Sequence, residues 1–567
     1  MNTDMRHTIR RLTTIFMLVF LILSAVAAYV QVGNLSPFGG PVLAGGNYET
    51  LARQCPPVDT PLRGRILDRN GNVIAQTVQD TDKSGHYTCG YHRVYAQWVV
   101  DSGLAPLIGY YSYRYGSAGL ESTYNNCLFN YTGCPIIAPV NSIKGKLLHS
   151  PQYGNDVYLT IDMNTQKYAA SVYESSAIHS SDPQSSCQHV NNPPGSIVVE
   201  DPNTGQILAM VSNPSYDPNK IIQADSTDPV TRKAGQDYWS QINNDKNRPL
   251  INRPTQGLYN PGSTFKTLSL IAGLDSGQYA DDSPFTFDEA TSYTVPQGET
   301  IKWEDYFNGT WNGILNQNSF PLTFAQGYAY SDNAMFARAA SQTGKDTWLN
   351  YVRKFGIATP GTTVPSVPFD GIYAQSSAYN AITNGKPTDF TGDLLAESGF
   401  GQGQLLISPL TMAEVTSTVA ANGYLYQPHV GWKIVPHDQS VKNYTPFQDS
   451  VAFSGGQIIQ PATAEAVRQA MWDVTSFGTA FYSHHPGTGE RLVDTGTNIG
   501  GKTGTGQVDN GDPNAWFLSL APDDQAPGGG GAKYVVVVNK EHGNEGACQV
   551  FVANDIDLYL TKHQVHS

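Results

Sequence analysis

The chain has 567 residues, and 34 basic against 48 acidic side chains give a formal net charge of −14. That length allows two or more domains with a large core, and an acidic chain with no basic tract excludes a nucleic-acid partner. With 55 Gly, 35 Pro, 32 Tyr and only 14% charged residues, the composition suits a loop-rich extracytoplasmic protein better than a helical bundle.

Arg6, Arg10 and Arg11 precede an apolar run from Leu12 to Val32. A run of about 20 residues spans a bilayer core, and positive charge before it places the N-terminus in the cytoplasm. The reading is a cytoplasmic tail (1–11), a transmembrane anchor (12–32) and a Gly/Pro/Asn-rich linker (33–60). A cleaved signal peptide is the competing reading, with Ala25-Val-Ala27 as its processing site. Both put the rest of the chain outside the cytoplasm. The six cysteines (Cys55, Cys89, Cys127, Cys134, Cys187, Cys548) fit that compartment. They allow up to three disulfides, and Cys127 and Cys134 are close enough to close a small loop. No C-x-x-C pair or His cluster suggests a metal, and His484-His485 reads as solvated loop. No cofactor is indicated.

Arg63-Gly-Arg-Ile-Leu-Asp-Arg-Asn-Gly-Asn-Val-Ile-Ala75 reads as a hairpin about Asn70-Gly71. Residues 76–150 read as irregular. Val157–Ile161 reads as a strand and Asn164–Ser176 as a helix. Ser196–Glu200 and Gln206–Val211 form a second hairpin about Asp201-Pro-Asn-Thr-Gly205. Tyr259-Asn-Pro-Gly-Ser-Thr-Phe-Lys266 is a loop entering an apolar helix, with Ser263 and Lys266 on one face. Residues 321–345 read as helix–loop–helix around Ser331-Asp-Asn333, and helices follow at 409–422 and 462–472. Three strands close the chain: Ile499–Val508 with Gly500-Gly-Lys-Thr-Gly504, then Ala515–Leu520, then Lys533–Asn539. A last helix covers Ala553–Thr561. Two early strands, three late ones and a helical middle predict an α+β sheet with helices on its faces. The domain reading is an N-terminal pedestal at 61–178 and a catalytic domain at 190–567.

Alone, a Ser-x-x-Lys spacing is a common accident, and its plain reading is a capping serine beside a solvated lysine. Ser263-Thr-Phe-Lys266, Ser331-Asp-Asn333 and Lys502-Thr-Gly504 in that order are not. Acyl transfer from an amide needs a nucleophile, a base, an acid for the leaving amine, and oxyanion donors. Ser263 Oγ supplies the first, and a neutral Lys266 the second. Ser331 relays a proton to the leaving amine, and Asn333 holds the substrate backbone. Lys502 meets a substrate carboxylate. Gly501 and Gly504 leave room for a ligand along the strand, while Thr503 and Thr505 offer hydroxyls and N–H donors.

These three motifs resemble those of the penicillin-binding proteins and serine β-lactamases, and the chain is similar to a class B penicillin-binding protein over nearly its whole length. Arg63–Gly71 resembles the opening of that family's pedestal, and Gly119-Leu-Glu121 another of its motifs. Asp201–Met210, Gly399-Phe-Gly-Gln-Gly403 with Ser408-Pro-Leu-Thr411, and Asn514-Ala-Trp-Phe517 resemble blocks around its active site. The resemblance implies a penicillin-binding transpeptidase fold and an acyl-enzyme on Ser263 formed from a stem peptide ending in D-Ala-D-Ala. It also implies resolution by a second stem's amine, inhibition by β-lactams, and a glycosyltransferase partner in the cell-wall machinery. The implied oxyanion hole is the backbone N–H of Ser263 and of Thr505. The rivals are a D,D-carboxypeptidase or β-lactamase on the same fold, and a β-lactam sensor or division scaffold. No Glu-x-x-Leu-Asn element positions a hydrolytic water. Residues 33–195 are too few for a glycosyltransferase domain.

Overall fold

The computed structural model describes residues 61–565 except 81–86, 88–89, 132–133, 135–152, 176–192, 308–313, 360–367, 370–371, 374–391, 438–455, 482, 484–489, 496–497, 510, 523–530 and 564. The tail, anchor and linker expected at 1–60, His484-His485, and Cys55, Cys89 and Cys187 lie outside the described residues. Among the described residues no helix is long and apolar enough to cross a membrane.

Ten strands build the two large sheets. They are β1 (Ile66–Leu67), β2 (Val73–Gln79), β3 (Tyr91–Tyr95), β4 (Asn155–Leu159), β5 (Gly195–Asp201), β6 (Gln206–Asn213), β7 (Gly431–Pro436), β8 (Gly500–Gly506), β9 (Asn514–Ala521) and β10 (Tyr534–Lys540). The first sheet runs β7-β4-β1-β2-β3 and the second β8-β9-β10-β5-β6. The hairpin about Asn70-Gly71 is present. Asp68 closes it by accepting from the backbone N–H groups of Asn70 and Asn72 at 2.9 and 2.7 Å. The described part of 76–134 holds more regular structure than the sequence suggested: β3 and several short helices lie there. Their organiser is buried Glu121, bound by Arg63 Nε at 2.6 Å and Arg93 Nε at 2.7 Å. Such local elements carry no periodic sequence signal, because a long-range ion pair holds them.

The second sheet is antiparallel throughout. Every residue of β9 and β10 is buried. Successive side chains point to opposite faces, so both faces are covered. The cover comes from α1 (Met163–Ser175), α2 (Lys266–Asp275), α3 (Phe324–Ala329), α4 (Asn333–Thr343), α5 (Pro409–Ala420), α6 (Pro461–Ser476) and α7 (Val550–His563). Helix α5 packs on β5, β9 and β10. Helix α7 packs on β9, β10 and α1, and α6 on β8 and α3. Cys127 and Cys134 are joined by a disulfide, and Cys548 is also disulfide-bonded.

Strand β7 comes from within the span read as the catalytic domain, yet it completes the pedestal sheet by pairing with β4. The two halves are therefore stitched by backbone hydrogen bonds as well as side-chain packing.

Candidate active site

Ser263 lies in a 3-10 turn, Gly262–Phe265, that feeds α2 at Lys266. Gly262 has φ +53°, and a Cβ on it would stand 2.3 Å from Thr505 O. Only glycine lets this loop lie against β8. Thr264 Oγ1 donates to Pro261 O at 2.7 Å and pins the turn. One turn on, Lys266 projects from the same face. Between α3 and α4 the chain reverses at Ser331, which holds φ +62°, a left-handed conformation costly for a non-glycine residue. Asp332 then caps α4 by accepting from Met335 N at 2.9 Å.

The three motifs meet at Lys266. Its Nζ stands 2.9 Å from Ser263 Oγ, 2.7 Å from Ser331 O, 3.2 Å from Ser331 Oγ and 2.7 Å from Asn333 Oδ1. Lys502 Nζ donates to Ser331 Oγ and Thr503 O, both at 3.0 Å. Lys266, Ser331 and Lys502 are buried, while Ser263, Asn333 and Thr505 keep partial exposure. The nucleophile candidate is thus open and its amine neighbour is not.

Burial dominates the electrostatics. It drives the Lys266 ammonium down to about 7 against the opposing charges of Asp332 and Asp305. Burial also pushes Lys502 well below the ordinary lysine range, and the adjacent Lys266 charge adds to the effect. Asp332, fully enclosed, is pushed up by the same desolvation. A neutral Lys266 has two N–H donors and one lone pair. Donating to the two acceptors at 2.7 Å leaves the lone pair for the Ser263 hydroxyl, which is the arrangement of a general base.

Strand β8 is the edge of its sheet, as the sequence reading expected, but not every group on it is free. The Thr503 hydroxyl is engaged with Thr479 Oγ1 at 2.7 Å. A Cβ on Gly504 would meet Thr264 Cγ2 at 2.6 Å and Pro261 O at 2.9 Å, and one on Gly501 would meet the Phe517 ring at 2.4 Å. At both glycines a side chain would collide with the protein's own atoms. Sequence reading also passed over several neighbours. Gln402 Nε2 donates to Thr505 O at 3.1 Å. Tyr328, whose hydroxyl pairs with Thr267 Oγ1 at 2.8 Å, lies under Lys502 with its ring centroid 5.5 Å from Nζ. Gln402 sat in a block already singled out. Tyr328 and Asp305 carried no signal, since only folding brings them to the lysines. Among the described residues no group of three or more His, Cys, Asp or Glu side chains converges as a metal site.

The model of the penicillin binding protein transpeptidase domain matches residues 195–556, and that of the penicillin binding protein A dimerisation domain matches 63–136. The peptidoglycan D,D-transpeptidase MrdA of Salmonella typhimurium is 29% identical over 401 residues, covering 69% of this chain and 56% of the relative. The chain thus spans little more than half the length of that relative. PbpA of Mycolicibacterium smegmatis, also a peptidoglycan D,D-transpeptidase, is 28% identical over 467 residues and 81% of each chain. Penicillin-binding protein A from M. tuberculosis, solved as an imipenem acyl-enzyme complex, superposes with TM-score 0.66 at 21% identity. The match covers 88% of this chain and 98% of that one. The fold is therefore the one seen in penicillin-binding proteins, and the chain belongs to the penicillin binding protein transpeptidase family.

Proposed function

We propose that the protein is a peptidoglycan D,D-transpeptidase that works through an acyl-enzyme on Ser263 and is acylated by β-lactams. The observation that carries the reading is Lys266 Nζ at 2.9 Å from Ser263 Oγ, buried and held by Ser331 and Asn333. Ser263 Oγ attacks the carbonyl of the penultimate D-Ala while Lys266 takes its proton. The C–N bond to the terminal D-Ala then breaks, Ser331 gives its hydroxyl proton to that leaving amine, and the Lys266 ammonium returns a proton to Ser331 and is neutral again. A second stem's amine attacks the resulting ester, the C–O bond to Ser263 breaks, and the amine's proton returns to Oγ. The oxyanion is held by the N–H groups of Ser263 and Thr505. Two buried ammonium groups cannot both persist side by side. The arriving substrate carboxylate favours the charge on Lys502 and leaves Lys266 neutral. Asn333, with its remaining amide donors, and the edge at Thr505 bind the peptide backbone.

The N-terminal run 12–32 anchors the protein in the bacterial cell membrane as a single pass. The pedestal (61–178) then carries the catalytic domain (190–567) outside the cell, where a glycosyltransferase of the cell-wall machinery supplies new strands. The test is a fluorescent penicillin added to the full-length protein in detergent micelles. Covalent labelling that is lost in Ser263→Ala supports the reading, and labelling at full stoichiometry in that variant overturns it. Mass spectrometry with a synthetic stem peptide and an amine acceptor separates transfer from hydrolysis.

A further inference from the structure

Lys502 is fully buried, yet little in the fold meets its charge. Its Nζ donates to Ser331 Oγ and Thr503 O, both at 3.0 Å and both neutral. An ammonium has three donors, and burying it is costly unless its charge is met. Lys266 opposes that charge, and Asp305, which favours it, is exposed to water that screens it. What lies against the amine is a ring: Lys502 Nζ stands over Tyr328, 5.5 Å from its centroid. A cation at that distance over a tyrosine face is attracted by the ring quadrupole, the more so where water is excluded.

The ring is held from several sides. Tyr328 is fully buried on α3. Its hydroxyl pairs with Thr267 Oγ1 at 2.8 Å, on the residue that follows Lys266. Its ring packs at a tilt against Phe336 of α4, with centroids 6.2 Å apart. Phe336 in turn stacks on Phe324 at 5.1 Å and lies 5.8 Å from Lys266 Nζ. Each amine therefore has an aromatic neighbour, and the two amines compete for one charge. The other charged groups acting on the pair are Asp332, the cap of α4, and Asp305. Taking the ring from Lys502 leaves Phe336 beside Lys266 and tips the charge towards the base.

We propose that Tyr328 is a positioning residue for acylation: its ring keeps the positive charge of the site on Lys502, so that Lys266 is the neutral base when a substrate carboxylate arrives. Being fully buried, Tyr328 acts through Lys502 and not on the substrate. The ring, not the hydroxyl, sets two quantities. Without it the neutral fraction of Lys266 falls in the range where that amine titrates, so the acid limb of acylation moves to higher pH. Without it Lys502 also meets an anionic group less well, so a substrate carboxylate counts for less. The inference rests on the reading of Ser263 as the residue acylated and of Lys502 as the carboxylate's partner.

The experiment times acylation of the full-length protein in micelles by intact-protein mass spectrometry, with benzylpenicillin and with its methyl ester, between pH 5 and 9. Tyr328→Leu removes the ring, and Tyr328→Phe keeps it while losing the bond to Thr267. Tyr328→Leu is expected to move the midpoint of the acid limb up by about half a unit to one unit. It is also expected to cut the rate preference for the free acid over the ester about threefold to thirtyfold. Tyr328→Phe is expected to keep the wild-type midpoint and preference, whatever its rate. Should Tyr328→Leu not fold, trifluorophenylalanine at position 328, set against Tyr328→Phe, carries the test. It keeps the ring's shape and drains electron density from its face, and the same two shifts are expected. A ring-less or ring-drained variant in which either shift is missing overturns the proposal, and so does a Tyr328→Phe enzyme that shifts as far. A wild type that labels while these variants keep its profile loses this inference alone. A wild type that never labels loses the assigned reaction, and this inference with it.

Discussion

Lys266 and Lys502, from elements far apart in the chain, share one hydroxyl: their Nζ atoms stand 3.2 and 3.0 Å from Ser331 Oγ. The sharing gives an unbroken hydrogen-bonded path from one amine to the other. Burial, and after it the Lys266 charge, lowers the tendency of Lys502 to hold its proton, and Ser331 connects the two amines.

The pH profile of acylation follows from Lys266. Its folded value of about 7 means that the base form is lost as pH falls through 7. The rate of penicillin acylation is expected to fall about tenfold per unit below that point and to level off above it. Lys266→Arg, which cannot act as a base, is expected to lower the rate by about 10²–10⁴ on the plateau above pH 7, with the gap to the wild type narrowing as pH falls. Stopped-flow labelling between pH 5 and 9 checks both.

Ser331 trades stability for its position. Its φ of +62° costs a non-glycine residue about 1–2 kcal/mol. Ser331→Gly is therefore expected to raise the melting temperature while nearly abolishing acylation, since the shared hydroxyl is gone. A calorimetric scan beside a labelling assay reads the two effects, and a fall in both would contradict the strain argument.

Two glycines of the same backbone hand give a controlled pair. In Gly262→Ala the new methyl meets Thr505 O at 2.3 Å, whereas Gly277 at φ +73° faces open space. Gly262→Ala is expected to lose about 2–4 kcal/mol and to label slowly, because the nucleophile turn must move off β8. Gly277→Ala should lose only the backbone cost and label normally.

Glu414 on α5 is buried, and burial raises its carboxyl to about 8. Glu200 on β5, facing it, is also pushed well up by burial and by the Glu414 charge, with Asp201 adding a smaller push. Both acids are neutral in the fold near pH 7 and ionised in the unfolded chain. The unfolded state then binds fewer protons, so stability falls as pH rises from about 4 to about 8. Glu414→Gln is expected to gain on the wild type across that window, with the larger advantage at pH 8 than at pH 5. Urea unfolding at the two pH values measures it.

Glu121 sits between Arg63 and Arg93 in the pedestal. Glu121→Gln leaves two buried guanidinium groups without a counter-charge, and a loss of about 3–5 kcal/mol is expected. If the labelling rate of the folded fraction is unchanged, the damage is confined to the pedestal.

The sequence by itself determined many of the elements and pointed to the candidate catalytic residues. Turn residues at Asn70-Gly71 and Asp201–Gly205, β-branched runs such as Val535–Val538, and the apolar body of α2 are local signals, and local backbone preference sufficed to read them. Ser263, Lys266, Ser331, Asn333 and Lys502 were legible because their residue types are scarce together and their order is specific. Only the tertiary structure decided the rest. Strand β7 crosses into the pedestal sheet, and Gly504 packs against the turn that carries Ser263. Glu121 organises a stretch that reads as irregular, and Tyr328 and Asp305 reach the two lysines. The physical reason is the same in each case. These relationships are contacts between distant segments, set by packing and by the exclusion of water. The charge state of Lys266 depends on how completely the fold buries that amine, and no local pattern of residues encodes burial.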